Sequence, residues 1–148
     1  MQRLINEARA LSVTHEFVTH LSPHHPGSYS HSRRHIEVLD GMSHTKTLCA
    51  FAHELGHATL QHELTMFEHI NEKIERAADE WAAHFLIDPA EYKAAEARYG
   101  TRVDWIAQEL GVLKRTVESF ERSLVRVGNR VYVHPKMGVG QWAAEYIA

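Results

Sequence analysis

The sequence predicts a single α+β domain: a small antiparallel sheet, a helix that carries two histidines, a second helix that carries carboxylates, and a C-terminal helical hairpin. Three observations carry this expectation. The stretch Leu48–Glu63, LCAFAHELGHATLQHE, is apolar with few breakers around its charged centre. Residues 71–87, NEKIERAADEWAAHFLI, repeat Ile74, Ala77, Ala78, Trp81, Ala82, Phe85 and Leu86 at helical spacing. Ahead of both, residues 13–39 are rich in β-formers and broken by clusters of turn residues.

Composition supports one domain. A chain of 148 residues with 44% hydrophobic content can bury a core of its own and is short for two ordinary domains. We expect three stretches within it: a core over 1–97, a helix-turn-helix-like segment over 98–124, and a hairpin and tail over 125–148. The net charge of -3 is unevenly spread, because residues 41–97 carry ten acidic and four basic side chains and residues 98–130 carry four and seven. Cys49 is the only cysteine, which excludes an intramolecular disulfide and a cysteine-based zinc knuckle. The N-terminal residues lack the apolar run of a signal peptide, and no stretch is long enough to cross a bilayer, so a cytoplasmic protein without a membrane partner is expected.

In chain order, Leu4, Ile5, Ala8 and Leu11 predict a short amphipathic helix over 2–11. Val13 to Leu21 alternates loosely and predicts a first strand, followed by the loop Ser22-Pro23-His24-His25-Pro26-Gly27. A second strand begins near Tyr29, and His35–Leu39 is a third, closed by Asp40-Gly41. An edge of this sheet could pair with an extended peptide. Ser43 or Thr45 supplies an N-cap for a helix over about 45–62, and Asn71 an N-cap for the next. A short helix over 90–99 precedes Ile106, Ala107, Leu110, Gly111, Val112, Thr116, Val117 and Phe120, which have the spacing of helix, glycine turn, helix. Gly128-Asn129 before Val131 and Val133 predicts a terminal hairpin, with Met137–Ala148 as a tail.

The chemistry is concentrated in two helices. His53 and His57 stand at i and i+4, so a helix projects both imidazoles from one side and they can share a metal ion. Glu54 lies beside them without being well placed to ligate, which is the place for a general base. A third histidine ligand in the pattern HExxHxxGxxH is excluded, because positions 60 and 63 hold Leu60 and Glu63. The remaining choice is a carboxylate from the second helix. Glu75 and Asp79, one turn apart on the margin of its alanine-rich stripe, suit a ligand and an acceptor that orients one imidazole. Glu72 and Glu80 compete with them, and Glu63, Glu68 and His69 lie in the connection. Cys49, one turn before His53, reads as a packing residue, and His24, His25, His31 and His35 as solvated or structural. Tyr29, Tyr92, Tyr99, His31 and His35 are the candidates for oxyanion stabilisation.

AHELGH at 52–57 followed by ERAADEWAAHFL at 75–86 resembles the ImmA/IrrE family of zinc metallopeptidases, whose second motif runs approximately E-x-x-A-[DN]-x-[FW]-A-x-x-[LF]-L. Glu75, Ala78, Asp79, Trp81, Ala82, Phe85 and Leu86 fill that pattern. Asp88 departs from it, since the family more often has Met directly before the proline. The resemblance implies a gluzincin-like arrangement with one Zn²⁺ per chain. It also implies a narrow protein substrate, a helix-turn-helix repressor of a prophage, mobile element or stress response, whose cleavage switches transcription on.

A different reading makes residues 103–124 the working part, in a non-catalytic antirepressor or DNA-associated regulator. Lys114, Arg115, Thr116 and Ser119 would then face a groove or a partner, although Glu118 and Glu121 oppose phosphate contact. Packing or partner docking is favoured over DNA binding for this segment.

Overall fold

A computed structural model of the chain describes residues 1–63, 65–127, 131–133 and 143–145. They fall into two compact units, Met1–Leu86 and Ile87–Ala148, and the architecture is α+β in class.

The first unit opens with α1 (Gln2–Ala10), whose Leu4 and Ala8 are buried at the expected helical spacing. The strands are β1 (Thr14–Val18), β2 (Gly27–Ser30) and β3 (His35–Leu39). Their order is β1-β3-β2, with β3 antiparallel to β2 and parallel to β1. The sheet is therefore mixed, which corrects the antiparallel sheet expected from the sequence. The cause lies in burial and loop length. Within these three strands Ile36 and Val38 are the fully buried residues, so β3 takes the centre, and the short turn at 31–34 makes it a hairpin with β2. The eight residues 19–26 are long enough to carry the chain from the end of β1 past the end of β3, roughly two strand spacings of ~4.8 Å. Asp40 N–H donates to Val18 O and Leu39 N–H to Pro26 O at that same end of the sheet.

Helix α2 (His44–Thr59) starts at Ser43, whose hydroxyl accepts from Lys46 N–H, and buries nearly every residue from Cys49 to Ala58. Leu4, Ile36, Val38, Phe51 and Leu55 form the centre of the core against which it lies. Helix α3 (Glu68–Leu86) begins three residues earlier than expected. Asn71 is accordingly inside the helix and not its N-cap: its Oδ1 accepts from Thr65 N–H and its Nδ2 donates to Thr65 O, which ties down the preceding loop. Ala78, Ala82 and Ala83 are buried, as the small-residue stripe requires.

Helices α2 and α3 approach closely at Gly56, where a Cβ would lie 2.8 Å from Ala78 O and 3.1 Å from Ala78 Cα. Those are backbone atoms, so the helices would have to separate. Gly56→Ala gains up to ~1 kcal/mol of helix propensity but overpacks the contact at a cost of roughly 1–3 kcal/mol or more. We expect a net loss of about 1–2 kcal/mol, seen as a lower urea midpoint of the metal-free protein at unchanged m-value. An unchanged or raised midpoint would show that the two helices have slack at this point.

The second unit contains α4 (Pro89–Tyr99), α5 (Val103–Leu110) and α6 (Lys114–Ser123), then β4 (Val125–Val127), β5 (Val131–Val133) and β6 (Ala143–Glu145). Asp88 accounts for its departure from the expected motif by capping α4, its Oδ1 accepting from Ala90 and Glu91 N–H at 2.8 and 3.2 Å. Gly111, left-handed at φ 66°, ends α5 and starts the turn into α6, so the helix-glycine-helix expectation holds. The terminal hairpin is present as β4 paired antiparallel with β5, and β5 pairs in turn with β6. Its turn, Gly128-Asn129, and the tail residues Trp142, Tyr146 and Ile147 lie outside the described residues.

Candidate metal centre

The site begins as a consequence of helix geometry. On α2 the rings of His53 and His57 meet edge to face with centroids 4.6 Å apart, and their Nε2 atoms are 3.0 Å apart. Across the Gly56–Ala78 contact, α3 delivers Glu75, with Oε2 3.1 Å from His53 Nε2 and Oε1 3.2 Å from His57 Nε2. His53, His57 and Glu75 are the one group of metal-ligating side chains that converges among the described residues. Glu72 and Glu80 are not part of it.

This donor set fits zinc. Two imidazole nitrogens and one carboxylate are a usual protein contribution to an open Zn²⁺ site, and bonds of about 2.0–2.1 Å imply tetrahedral edges of roughly 3.3 Å. The separations of 3.0–3.2 Å already approach that edge. The outer nitrogens are also occupied. His53 Nδ1 lies 2.8 Å from Asp79 Oδ1, and His57 Nδ1 lies 3.1 Å from His62 Nδ1. With Nδ1 engaged on both rings, each imidazole presents its Nε2 to the same point.

Charge follows from these distances. Burial acts against charge on His53, but the Asp79 and Glu75 carboxylates at hydrogen-bond distance, together with the Glu54 charge, outweigh it and push its pKa up to about 10. The hydrogen bond from His53 first, and the neighbouring His57, hold the Glu75 carboxyl well below the usual carboxylate range. Glu54 points another way. It is 7% exposed, and burial pushes its carboxyl above its ordinary value against the pull of His53 and His57. The wall that buries it includes β2, because a Cβ on Gly27 would come within 2.5 Å of Glu54 Oε1.

A proton therefore competes with metal at His53. In the metal-free protein His53 is an imidazolium below about pH 10. Binding must displace that proton, so affinity rises with pH by at least about tenfold per unit between pH 7 and 9. Titration calorimetry in buffers of different ionisation enthalpy should register at least one proton released per ion. Affinity flat across that range would show that His53 is not protonated before metal binds.

Several candidates are placed elsewhere. Cys49 is a buried residue of α2, outside the converging group. Tyr92 donates to Glu121 Oε1 at 3.0 Å in the second unit, and Tyr99 packs edge to face on Trp105. His35 Nδ1 is 2.7 Å from Thr14 Oγ1. Tyr29 Oη lies 3.0 Å from His31 Nδ1, and Tyr29 shares the strand, and by alternation the face, of Gly27. On α6, Lys114 and Arg115 are exposed, but Thr116 and Ser119 are buried, which removes half of the polar face expected there.

His62 is the contact that sequence reasoning missed. It lies beyond the end of α2 at i+5 from His57, a spacing that no regular helix turns into a contact. Burial and the neighbouring His57 hold its pKa below the ordinary histidine value.

No helix among the described residues is long and apolar enough to cross a membrane. No curated protein matches the chain significantly. The family model of the IrrE N-terminal-like domain, a peptidase family, matches residues 8–119 and so covers more than half of the sequence. A metallopeptidase type of function and a protein substrate follow from that family, and the chain belongs to it: it is a member of the IrrE N-terminal-like peptidase domains.

Proposed function

We propose that the chain is a zinc-dependent metallo-endopeptidase that cuts a helix-turn-helix transcriptional repressor. The observation that carries the enzyme reading is the pairing of an open three-residue donor set with a separate, buried carboxylate next to it. His53, His57 and Glu75 would hold one Zn²⁺, and Glu54 would stay free of it as the base. A structural zinc site is normally closed by four protein ligands and has no use for Glu54.

When bound, the ion would act as a Lewis acid and bring the pKa of a coordinated water near neutrality. Glu54 takes the proton of the attacking water and later returns it to the leaving amine. Its burial suits both tasks, because a carboxyl raised above its ordinary value is a better proton carrier near pH 7. Asp79 accepts the Nδ1 proton of His53 and fixes that ring. β2, the strand at the sheet edge nearest Glu54, is the place for an extended substrate backbone. Tyr29 on that strand and His31 just beyond its end are the oxyanion candidates.

The repressor substrate, with its phage, mobile-element or stress setting and its role in transcription, rests on the resemblance to ImmA and IrrE. A cytoplasmic location goes with it. We further propose that the chain works as one domain, since the family match begins in the first compact unit and continues into the second. The DNA-associated alternative is the weaker, because Thr116 and Ser119 are buried and Lys114 lies 3.9 Å from Glu118.

The test is direct. The purified chain, reconstituted with one equivalent of zinc, is incubated with helix-turn-helix repressors from its own genome and scanned for a discrete cut. One zinc per chain and a chelator-sensitive cut are expected. Tight repressor binding with no cut by any zinc-loaded preparation would favour the antirepressor reading.

A further inference from the structure

We propose that His62 is a positioning residue of the metal centre, its Nδ1 accepting the Nδ1 proton of His57 and thereby holding His57 Nε2 toward the ion. This rests on the reading of His53, His57 and Glu75 as the ligands.

The backbone brings the two rings together. Helix α2 ends at Thr59, and Gln61 takes a left-handed conformation at φ 54°, which is strained for a residue other than glycine. That turn folds the chain back, so His62 N–H donates to His57 O at 3.0 Å. The imidazoles then stand with centroids 5.3 Å apart at 69°, and their Nδ1 atoms meet at 3.1 Å.

Proton placement follows from the other side of His57. Its Nε2 faces His53 Nε2 at 3.0 Å and Glu75 Oε1 at 3.2 Å. For that nitrogen to present a lone pair to a cation, the ring proton must sit on Nδ1. Two protonated nitrogens cannot share a hydrogen bond, so His62 must accept through Nδ1 and carry its own proton on Nε2. His62 thus does for His57 what Asp79 does for His53.

The two orienting groups differ in charge. Asp79 is a carboxylate, while His62 fixes its ring as a neutral acceptor and adds no further negative charge beside Glu75 and Glu54. Both ligand rings are held, but one of them is made less electron-rich than a carboxylate would make it.

The experiment compares wild type, His62→Leu and His62→Asn, whose new side chains share the same branched four-atom shape and differ in hydrogen-bonding capacity. Zinc and cobalt affinities are measured by competition with a chromophoric chelator, and the His57 tautomer by ¹⁵N NMR of the metal-free chains. The inference expects His62→Leu to bind each metal about 10–100-fold more weakly and His62→Asn to recover most of that loss through its amide oxygen. It also expects the Nδ1–H tautomer at His57 in wild type and a shift toward Nε2–H in His62→Leu. Equal affinities in wild type and His62→Leu, or equal losses in Leu and Asn, overturn it, as does an unchanged tautomer. A wild-type chain that takes up no metal overturns the ligand assignment beneath it, which is a separate and distinguishable result. Unfolding of the metal-free variants by urea separates packing from orientation: a Leu variant as stable as wild type that still loses metal supports the positioning role.

Discussion

Glu54→Gln should retain one zinc per chain and lose cleavage by about 10²–10⁴-fold, the usual span of a general acid–base contribution. The substitution is close to isosteric, which matters because Glu54 is 7% exposed and Gly27 leaves no space beside Oε1. The Gln amide occupies the same volume and cannot take a proton from water. His53, His57 and Glu75 contact one another through atoms that the change does not touch, so the ion should remain. Zinc content measured with single-turnover cleavage separates the two roles. Retained zinc with near wild-type cutting would remove Glu54 from the mechanism. Lost zinc would instead make Glu54 part of the ligand set.

A second consequence concerns Gly27. Its hydrogen is what permits β2 to lie against the Glu54 carboxylate, and through that contact the sheet controls how dry the base is. The base and the substrate-side strand are thus linked by a packing contact as well as by chemistry.

The sequence showed the parts of the fold that depend on local periodicity. Helices α2 and α3, the Ser43 cap and the Gly111 turn each follow from signals within a few residues of one another. The pairing of His53 with Asp79, and of both imidazoles with Glu75, was accessible because i, i+4 spacing on two helices restricts which side chains can meet. Sheet direction was not accessible. Whether β1 runs parallel or antiparallel to β3 depends on which strand takes the buried centre, a tertiary choice decided by Ile36 and Val38. The start of α3 was misjudged because Asn71 is as good a partner for a loop as for a helix end, and Thr65 supplied the loop. His62 was invisible for a third reason: its approach to His57 depends on a positive φ at Gln61, which residue identity does not announce.

Glu75→Ala is expected to abolish stable metal binding, with an affinity loss beyond the roughly 10–100-fold of an outer-shell change. The carboxylate is the only oxygen donor of the converging group, and it contacts both ring nitrogens that would share the ion. The same variant tests the electrostatics without metal. A carboxyl held below its ordinary value stabilises the folded state above the unfolded pKa of about 4.5 and loses that contribution as pH falls. Wild type should therefore exceed Glu75→Ala in urea stability near neutral pH, and the gap should close in acid. Because half of the Glu75 side chain is exposed, the gap should be no more than about 1 kcal/mol. His53 adds the opposite dependence, since a raised pKa stabilises below the unfolded value of about 6.5 and fades as pH climbs through about 10. Both contributions are fully present together only between about pH 4.5 and 6.5, and the combined stabilisation should shrink on either side of that window. Retention of a full equivalent of zinc by Glu75→Ala would move the third ligand to another carboxylate of α3, with Glu72 and Glu80 the next to substitute.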